Sequence, residues 1–233
     1  MDIIPAILIT SLIGGIIAID TAVAFQIMIS QPIVSCTIIG LIFGLPEIGI
    51  LVGILLELPW LINIPSGGAH GSEGNLGAVV AAALSSYLVS RNINTANIII
   101  ITSIIYSLCI SQVGSFLIDF LRKVNLNLVH DADQAVENAD VGEITRLNLT
   151  GFFYMFVMGF ILTGIGFGLG IFILKPLISF IHSDFDRAFD LAKYSILGLG
   201  FGVVASLFLT RDTKWYVIAG AAASVLILLL VSF

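Results

Sequence analysis

At 233 residues, 58% hydrophobic and only 10% charged, with a mean hydropathy of +1.13, the chain cannot cover itself with a water-facing surface. Soluble domains devote roughly 25% of their residues to charge. The formal net charge of −6 comes mostly from acids in two polar segments and so says little about nucleic acid, which needs a basic face. What remains is a protein of the bilayer, one integral membrane domain over 1–233, long enough for roughly six to eight spans of ~20 residues.

The N-terminal stretch MDIIPAILIT has neither a basic n-region nor a small-residue cleavage site, so it reads as a retained first span or re-entrant piece rather than a signal peptide. The run Ile3 to Ala18 contains Gly14-Gly15 and closes at Asp20, whose carboxylate is placed to cap the next helix. A second run, Ala22 to Phe43, is interrupted at Gln31-Pro32, and a third, Ile48 to Ile64, carries Glu57 ahead of Pro59. Proline removes a backbone donor, which predicts a break or kink there. The Gly/Ser-rich loop Pro65 to Asn75 leads into a small-residue helix, Leu76 to Val89. The chain has no lysine or arginine before Arg91.

Asn97 to Phe120 make a longer span. From Arg122 to Asn148 the chain turns polar, with Asp131, Asp133, Glu137, Asp140 and Glu143 on one side of an apolar stripe at Leu128, Ala132, Ala135 and Ala139. That spacing predicts an interfacial amphipathic helix between two groups of spans. The domain thus divides into substrate-binding spans with the Gly-rich loop (1–120), an amphipathic connector (121–148) and C-terminal spans (149–233). Thr150 to Ile181 exceeds one simple span and is either a long tilted helix or a span broken near Lys175-Pro176. Tyr194 to Leu209 and Trp215 to Phe233 complete the set, after a charged connection from Ser183 to Lys193. Lysine and arginine are spread over most connections, so the positive-inside rule assigns no orientation. Both cysteines, Cys36 and Cys109, fall within apolar stretches and are expected to be buried. The series Gly164, Gly166, Gly168, Gly170 and the series Gly198, Gly200, Gly202 predict close helix packing, since neither follows a strand as a dinucleotide fingerprint does.

An ionisable side chain in an apolar span costs at least ~2.5 kcal/mol at the bilayer centre unless it faces protein or a water-filled cavity. Glu57 is the clearest instance. Irregular backbone at membrane depth is tolerated where it lines a cavity, and Glu57 is followed by a segment rich in Gly, Ser, His, Glu and Asn. Glu57, Ser66, Gly67, Gly68, His70, Glu73 and Asn75 are therefore the candidate substrate-binding residues. Sugar hydroxyls donate and accept together, and carboxylates, amides and hydroxyls match them. The competing reading pairs Glu57 with another helix. His70 has no neighbouring nucleophile, no P-loop, GxSxG or HExxH occurs, and no CxxC or Cys/His cluster marks a metal site. No catalytic residue, cofactor or metal is expected.

Several stretches then resemble one family. Gln31-Pro32-Ile33-Val34-Ser35-Cys36-Thr37-Ile38-Ile39-Gly40 resembles the HRPLVACTLVG-type segment of mannose/sorbose-family enzyme IIC subunits, the sugar permeases of the phosphotransferase system. Ile50 to Trp60 is similar to their GLLLGGTLELIWL-type segment, and Pro65-Ser66-Gly67-Gly68-Ala69 to PVGGA. Glu73 stands where an aspartate is usual, Leu76 to Val80 matches LGAIV, and His130 to Ala135 resembles H-x-AD-x-A. The match is firm over about residues 26 to 85. Ser30-Gln31 stands in place of His-Arg, and Leu45 in place of an acidic residue.

The resemblance implies a polytopic all-α protein with broken or re-entrant segments, multi-pass in the cell inner (plasma) membrane. It implies a permease for a hexose or amino sugar working with a IID-type membrane subunit, in an elevator-like movement, as a homo-oligomer. Soluble IIA and IIB phosphocarriers would supply and transfer the phosphoryl group, so the chain itself is not an enzyme. Glu57, Gly67, Gly68 and Glu73 would lie at or near the sugar; Ser66, His70 and Asn75 are added on chemical grounds. The alternatives are a proton-coupled secondary transporter and a membrane scaffold that docks partners through its acidic connector.

Overall fold

A computed structural model describes residues 2–61, 73–91, 95–210 and 213–231, with side chains at 22 and 225–231 excepted. Every regular element among the described residues is helical: α1 (Ile3–Ala22), α2 (Pro32–Ile42), α3 (Pro46–Trp60), α4 (Gly74–Val89), α5 (Ala96–Glu137), α6 (Val141–Phe180), α7 (Asp186–Phe208) and α8 (Lys214–Val231). Four helical stretches among the described residues are long and apolar enough to cross a membrane: Ile3–Thr21, Ala96–Glu137, Val141–Phe180 and Ser183–Phe208.

Helix α4 is the central post. Its residues are buried from Leu76 to Val89, small side chains included, and α1, α2, α3, α5 and α6 pack around it. Helices α1 and α6 run antiparallel with their backbones nearly touching. A Cβ on Gly159 would sit 2.5 Å from the Gly14 carbonyl oxygen and 2.5 Å from the Ala18 Cβ; Gly164 lies against Ser11, and Gly168 opposite Ile7. Thr163 fastens the seam, its hydroxyl donating to the Gly159 carbonyl at 2.7 Å and lying 3.3 Å from the Thr10 carbonyl. Gly170 packs on Leu84 of α4. The close-packing reading of the first glycine series therefore holds. In the second series, among the described residues, only Gly200 meets a neighbour, Leu58 and Pro59 of α3, while a Cβ on Gly198 or Gly202 would touch nothing.

The run from Ala22 to Phe43 is not one span. Residues 23–31 form an irregular loop, and α2 starts at Pro32, whose missing N–H costs nothing at a helix's first position. Gly44, at φ +76°, turns the chain straight into α3, and the Leu45 N–H closes the turn on the Gly40 carbonyl at 2.8 Å. At 11 and 15 residues, α2 and α3 rise about 16 and 22 Å at 1.5 Å per residue, short of the ~30 Å hydrocarbon core. They form a half-depth hairpin whose close backbone approach comes from glycine: a Cβ on Gly40 would lie 2.8 Å from the Gly49 Cα, and one on Gly53 2.8 Å from the Ile33 Cα. Its tip is seated by Phe43, which meets Tyr87 and Phe167 edge-on at 6.5 and 6.1 Å between ring centres. Pro59 does not break α3 but lies in its last turn, one residue before the helix ends.

Helices α5 and α6 contain 42 and 40 residues, about 60 Å each, twice the hydrocarbon thickness. The amphipathic connector is thus built from the outer ends of two continuous helices, not from a helix of its own. They meet at a tight turn with Ala139 at φ +53°, and the Asp140 carboxylate caps α6 by accepting the Glu143 N–H at 3.0 Å. Pro176 is absorbed within α6, so that segment is the long helix rather than the broken one. Cys36 is buried, its thiol pointing at the Ala78 carbonyl. Cys109, expected inside, is exposed on α5, because that face of the helix carries exposed Ile105, Leu108 and Val113 rather than packed ones.

Candidate functional site

The half-depth hairpin returns to the level at which other helices begin or end, and the described candidate residues Glu57, Glu73 and Asn75 lie there. Glu57, near the end of α3, does not stand free. One carboxylate oxygen accepts the Ile33 N–H at 2.9 Å. That N–H is one of the first in α2, without a partner inside its own helix, so Glu57 ties the end of α3 to the start of α2. The competing reading, Glu57 engaged with another helix, is thereby realised through one oxygen.

Glu73 precedes the first residue of α4 and its side chain makes no cap hydrogen bond to that helix. Its backbone N–H donates to the Ser111 carbonyl of α5 at 3.1 Å. Its Cβ rests against Gly114, where an added Cβ would stand 2.8 Å away. Asn75, in the first turn of α4, donates to the Thr21 hydroxyl of α1 at 3.3 Å. Ser66, Gly67, Gly68 and His70 lie outside the described residues.

Two residues that sequence reasoning did not place at this junction belong to it. Asp20 is 2% exposed and sits in the last turn of α1 rather than capping the next helix. Its carboxylate accepts the Ile27 and Ser30 N–H groups, each at 2.9 Å, and so clamps the loop in which Phe25, Gln26 and Met28 adopt left-handed backbone. Non-glycine residues held in that region cost of order 1–3 kcal/mol each, and two charge-assisted bonds from one buried carboxylate offset part of it. Trp60, the last residue of α3, lays its indole on Gly74, the first residue of α4; a Cβ there would fall 2.7 Å from the indole Cγ. Its Nε1 is buried and has no hydrogen-bond partner among the described residues, at an order-of-magnitude cost of ~1–3 kcal/mol. The sequence signal for Trp60 was its spacing from Glu57, which places both on one helical face; for Asp20 it was only an acid at a span end.

The junction thus gathers the starts of α2 and α4, the ends of α1 and α3, and the middle of α5, with α7 crossing at Gly200 over Leu58 and Pro59. Helix starts carry partial positive charge and spare N–H donors, and the carboxylates of Glu57 and Glu73 supply acceptors beside them. Donors and acceptors set close together suit a neutral polyhydroxylated ligand better than a charged one. Among the described residues no group of three or more His, Cys, Asp or Glu is arranged to hold a metal.

A second polar cluster lies far from this junction. Asp186, at the start of α7, accepts the Ile98 N–H at 3.1 Å and the Asn97 side-chain amide at 2.7 Å, capping α5 from another helix. Lys193 completes it, reaching the Asn97 oxygen at 2.8 Å and Asp190 at 2.5 Å. Helix α7 is otherwise largely exposed, and this latch and the Gly200 contact join Phe189, Ile196 and Leu197, which pack against the core, in holding it.

A polytopic helical membrane protein, with a half-depth hairpin ending at a partly exposed polar junction, is the class that fold and site define. The family model described as the sorbose-specific IIC component of the phosphotransferase system matches residues 3–232, and the chain belongs to that family, whose members are membrane transport subunits. It is 29% identical over 147 residues to the sorbose-specific EIIC component of Klebsiella pneumoniae, a stretch covering 63% of this chain and 51% of the relative. It is 32% identical over 120 residues to the sorbose-specific EIIC component of Lacticaseibacillus casei, covering 52% and 40%. With the mannose-specific EIIC component of Escherichia coli K12 it shares 26% over 128 residues, covering 53% and 43%. The chain thus matches about half the length of these curated relatives. A solved structure described as that of a membrane protein superposes with a TM-score of 0.70 at 18% identity, covering 98% of this chain and 96% of the other, and shows the same fold.

Proposed function

We propose that this chain binds a hexose or amino sugar at the α1–α4 junction and conducts it across the inner membrane as the IIC subunit of a mannose/sorbose-type phosphotransferase system. The observation that supports the reading is the convergence of Glu57, Glu73 and the starts of α2 and α4 on one partly exposed junction, in a chain that matches a IIC model nearly end to end. Glu57 would use its second carboxylate oxygen on a sugar hydroxyl while the first holds α2. Glu73 and Asn75 would take further hydroxyls, with Ser66, Gly67, Gly68 and His70 from the adjoining loop. The names of the relatives, sorbose- and mannose-specific, supply the substrate class.

Membership of the IIC family supports assigning phosphoryl transfer to a IIB partner phosphorylated through IIA, with a IID-type subunit completing the translocating unit. The test is reconstitution of the chain with its IID-type partner in vesicles, supplied with phosphoenolpyruvate and the soluble phosphocarriers. Sugar phosphate appearing on the phosphocarrier side supports the proposal. Uptake of free sugar by the chain alone, driven by a pH gradient, would replace it with the proton-coupled transporter. An unchanged sugar distribution under both conditions would replace it with the scaffold.

A further inference from the structure

The orphaned indole of Trp60 calls for an acceptor that the described protein does not provide. We infer that Trp60 is a sugar-contacting specificity determinant of the proposed junction, its Nε1–H reserved for an oxygen of the ligand and its ring for the ligand's C–H face. This rests on the sugar-binding reading above.

Position is the first argument. Trp60 lies three residues after Glu57, on the same face of α3, and its ring rests on Gly74, flanked in sequence by Glu73 and Asn75. The indole therefore spans the gap between the helix end that carries one carboxylate and the helix start that carries the other. The seat depends on glycine, since any larger residue at 74 would drive a Cβ into the ring.

Chemistry is the second. A buried indole N–H ordinarily finds a partner, and buried polar atoms without one call for an explanation. Here Nε1 is enclosed and unpartnered among the described residues while the residue as a whole is only half-buried. A pyranose presents an apolar C–H face and, at its rim, hydroxyl oxygens that accept as well as donate. An ionised carboxylate is acceptor-only, so Glu57 would draw a sugar hydroxyl hydrogen toward itself and leave that oxygen's lone pairs for a donor. The tryptophan N–H is donor only, which complements them. Sites built to hydrogen-bond a substrate hydroxyl discriminate strongly against analogues that lack it.

The chain holds two tryptophans, and Trp215 is exposed on α8, away from the junction. Trp215→Phe therefore leaves Trp60 as the one remaining tryptophan of this sequence; the variant is produced with 5-hydroxytryptophan, whose emission is excited apart from that of ordinary tryptophan, and then combined with unlabelled membrane partner. D-mannose, L-sorbose and monodeoxy mannoses are titrated by calorimetry and by Trp60 fluorescence. The expected results are a saturable change in Trp60 emission and, for Trp60→Phe, affinity weakened about tenfold or more. One monodeoxy sugar should lose a similar factor when Trp60 is present and lose nothing further in the Trp60→Phe variant, which a merely structural role would not produce. Sugar binding with silent Trp60 emission, or with Trp60→Phe at native affinity, overturns this inference and leaves the sugar site standing. Absence of binding by any sugar to the protein with Trp60 intact overturns the sugar-binding reading itself, and this inference with it. The fluorescence arm keeps an indole at residue 60, so it decides even where Trp60→Phe fails to fold.

Discussion

Replacing Glu57 separates two jobs that one side chain performs. In Glu57→Gln the amide oxygen can still accept the Ile33 N–H now held at 2.9 Å, while the free carboxylate oxygen becomes an NH2 that can only donate. Glu57→Ala removes both. A lost cap of this kind costs typically about 1 kcal/mol, and 1 kcal/mol moves the melting temperature of a chain of 150–250 residues by roughly 2–4 °C. The Ala variant should therefore melt about 2–4 °C lower, and the Gln variant close to the parent. Hydrogen bonds to a charged group contribute about 1.5–3 kcal/mol, so both variants should bind sugar roughly 10- to 150-fold more weakly. Calorimetric titration and a thermal melt in the same detergent read the two quantities separately. A Gln variant that binds sugar as the parent does would refute the ligand role of Glu57, and an Ala variant with the parent's melting point would refute its role at the start of α2.

Three more changes test the architecture. Asp20→Ala leaves the Ile27 and Ser30 N–H groups without their acceptor; it should cost about 2–4 kcal/mol and make the loop at 23–31 a new proteolytic site, and an unchanged melt with an intact loop would sink the clamp. Gly159→Ala places a methyl against the Gly14 carbonyl of α1, whereas Gly198→Ala meets nothing. The first should lose about 1–3 kcal/mol and the second stay neutral or gain slightly; equal melts would contradict the α1–α6 seam. Asp186→Ala removes the cap that α7 lends to α5, and hydrogen exchange should rise at the start of both helices, with a loss of about 0.5–2 kcal/mol. Exchange that rises in α7 alone would show that α5 caps itself.

Membrane residence was legible in composition, because a chain with so little charge has no way to solvate its surface. So was the packing role of Gly164 and Gly170, since small residues in apolar runs have few physical explanations. Other features depended on contacts that hydropathy does not register. An apolar half-span and an apolar full span look alike in sequence, so α2 and α3 emerged as a half-depth hairpin only when Gly44 turned the chain and the Phe43, Tyr87 and Phe167 rings met. The helices continue through Pro59 and Pro176 rather than breaking there, because a proline removes one backbone hydrogen bond and the packing of the rest of the helix holds the remainder.

The sequence by itself determined the class of protein and several candidate ligands for a sugar, through the chemistry of individual side chains. Tertiary structure alone decided which of them are engaged with one another. Asp20 found its partners 7 and 10 residues on, Glu57 found Ile33 24 residues back, and Asp186 found Ile98 88 residues away. Composition records what a side chain is able to bind; only the packing of helix ends, where backbone groups lack partners of their own, selects what it does bind.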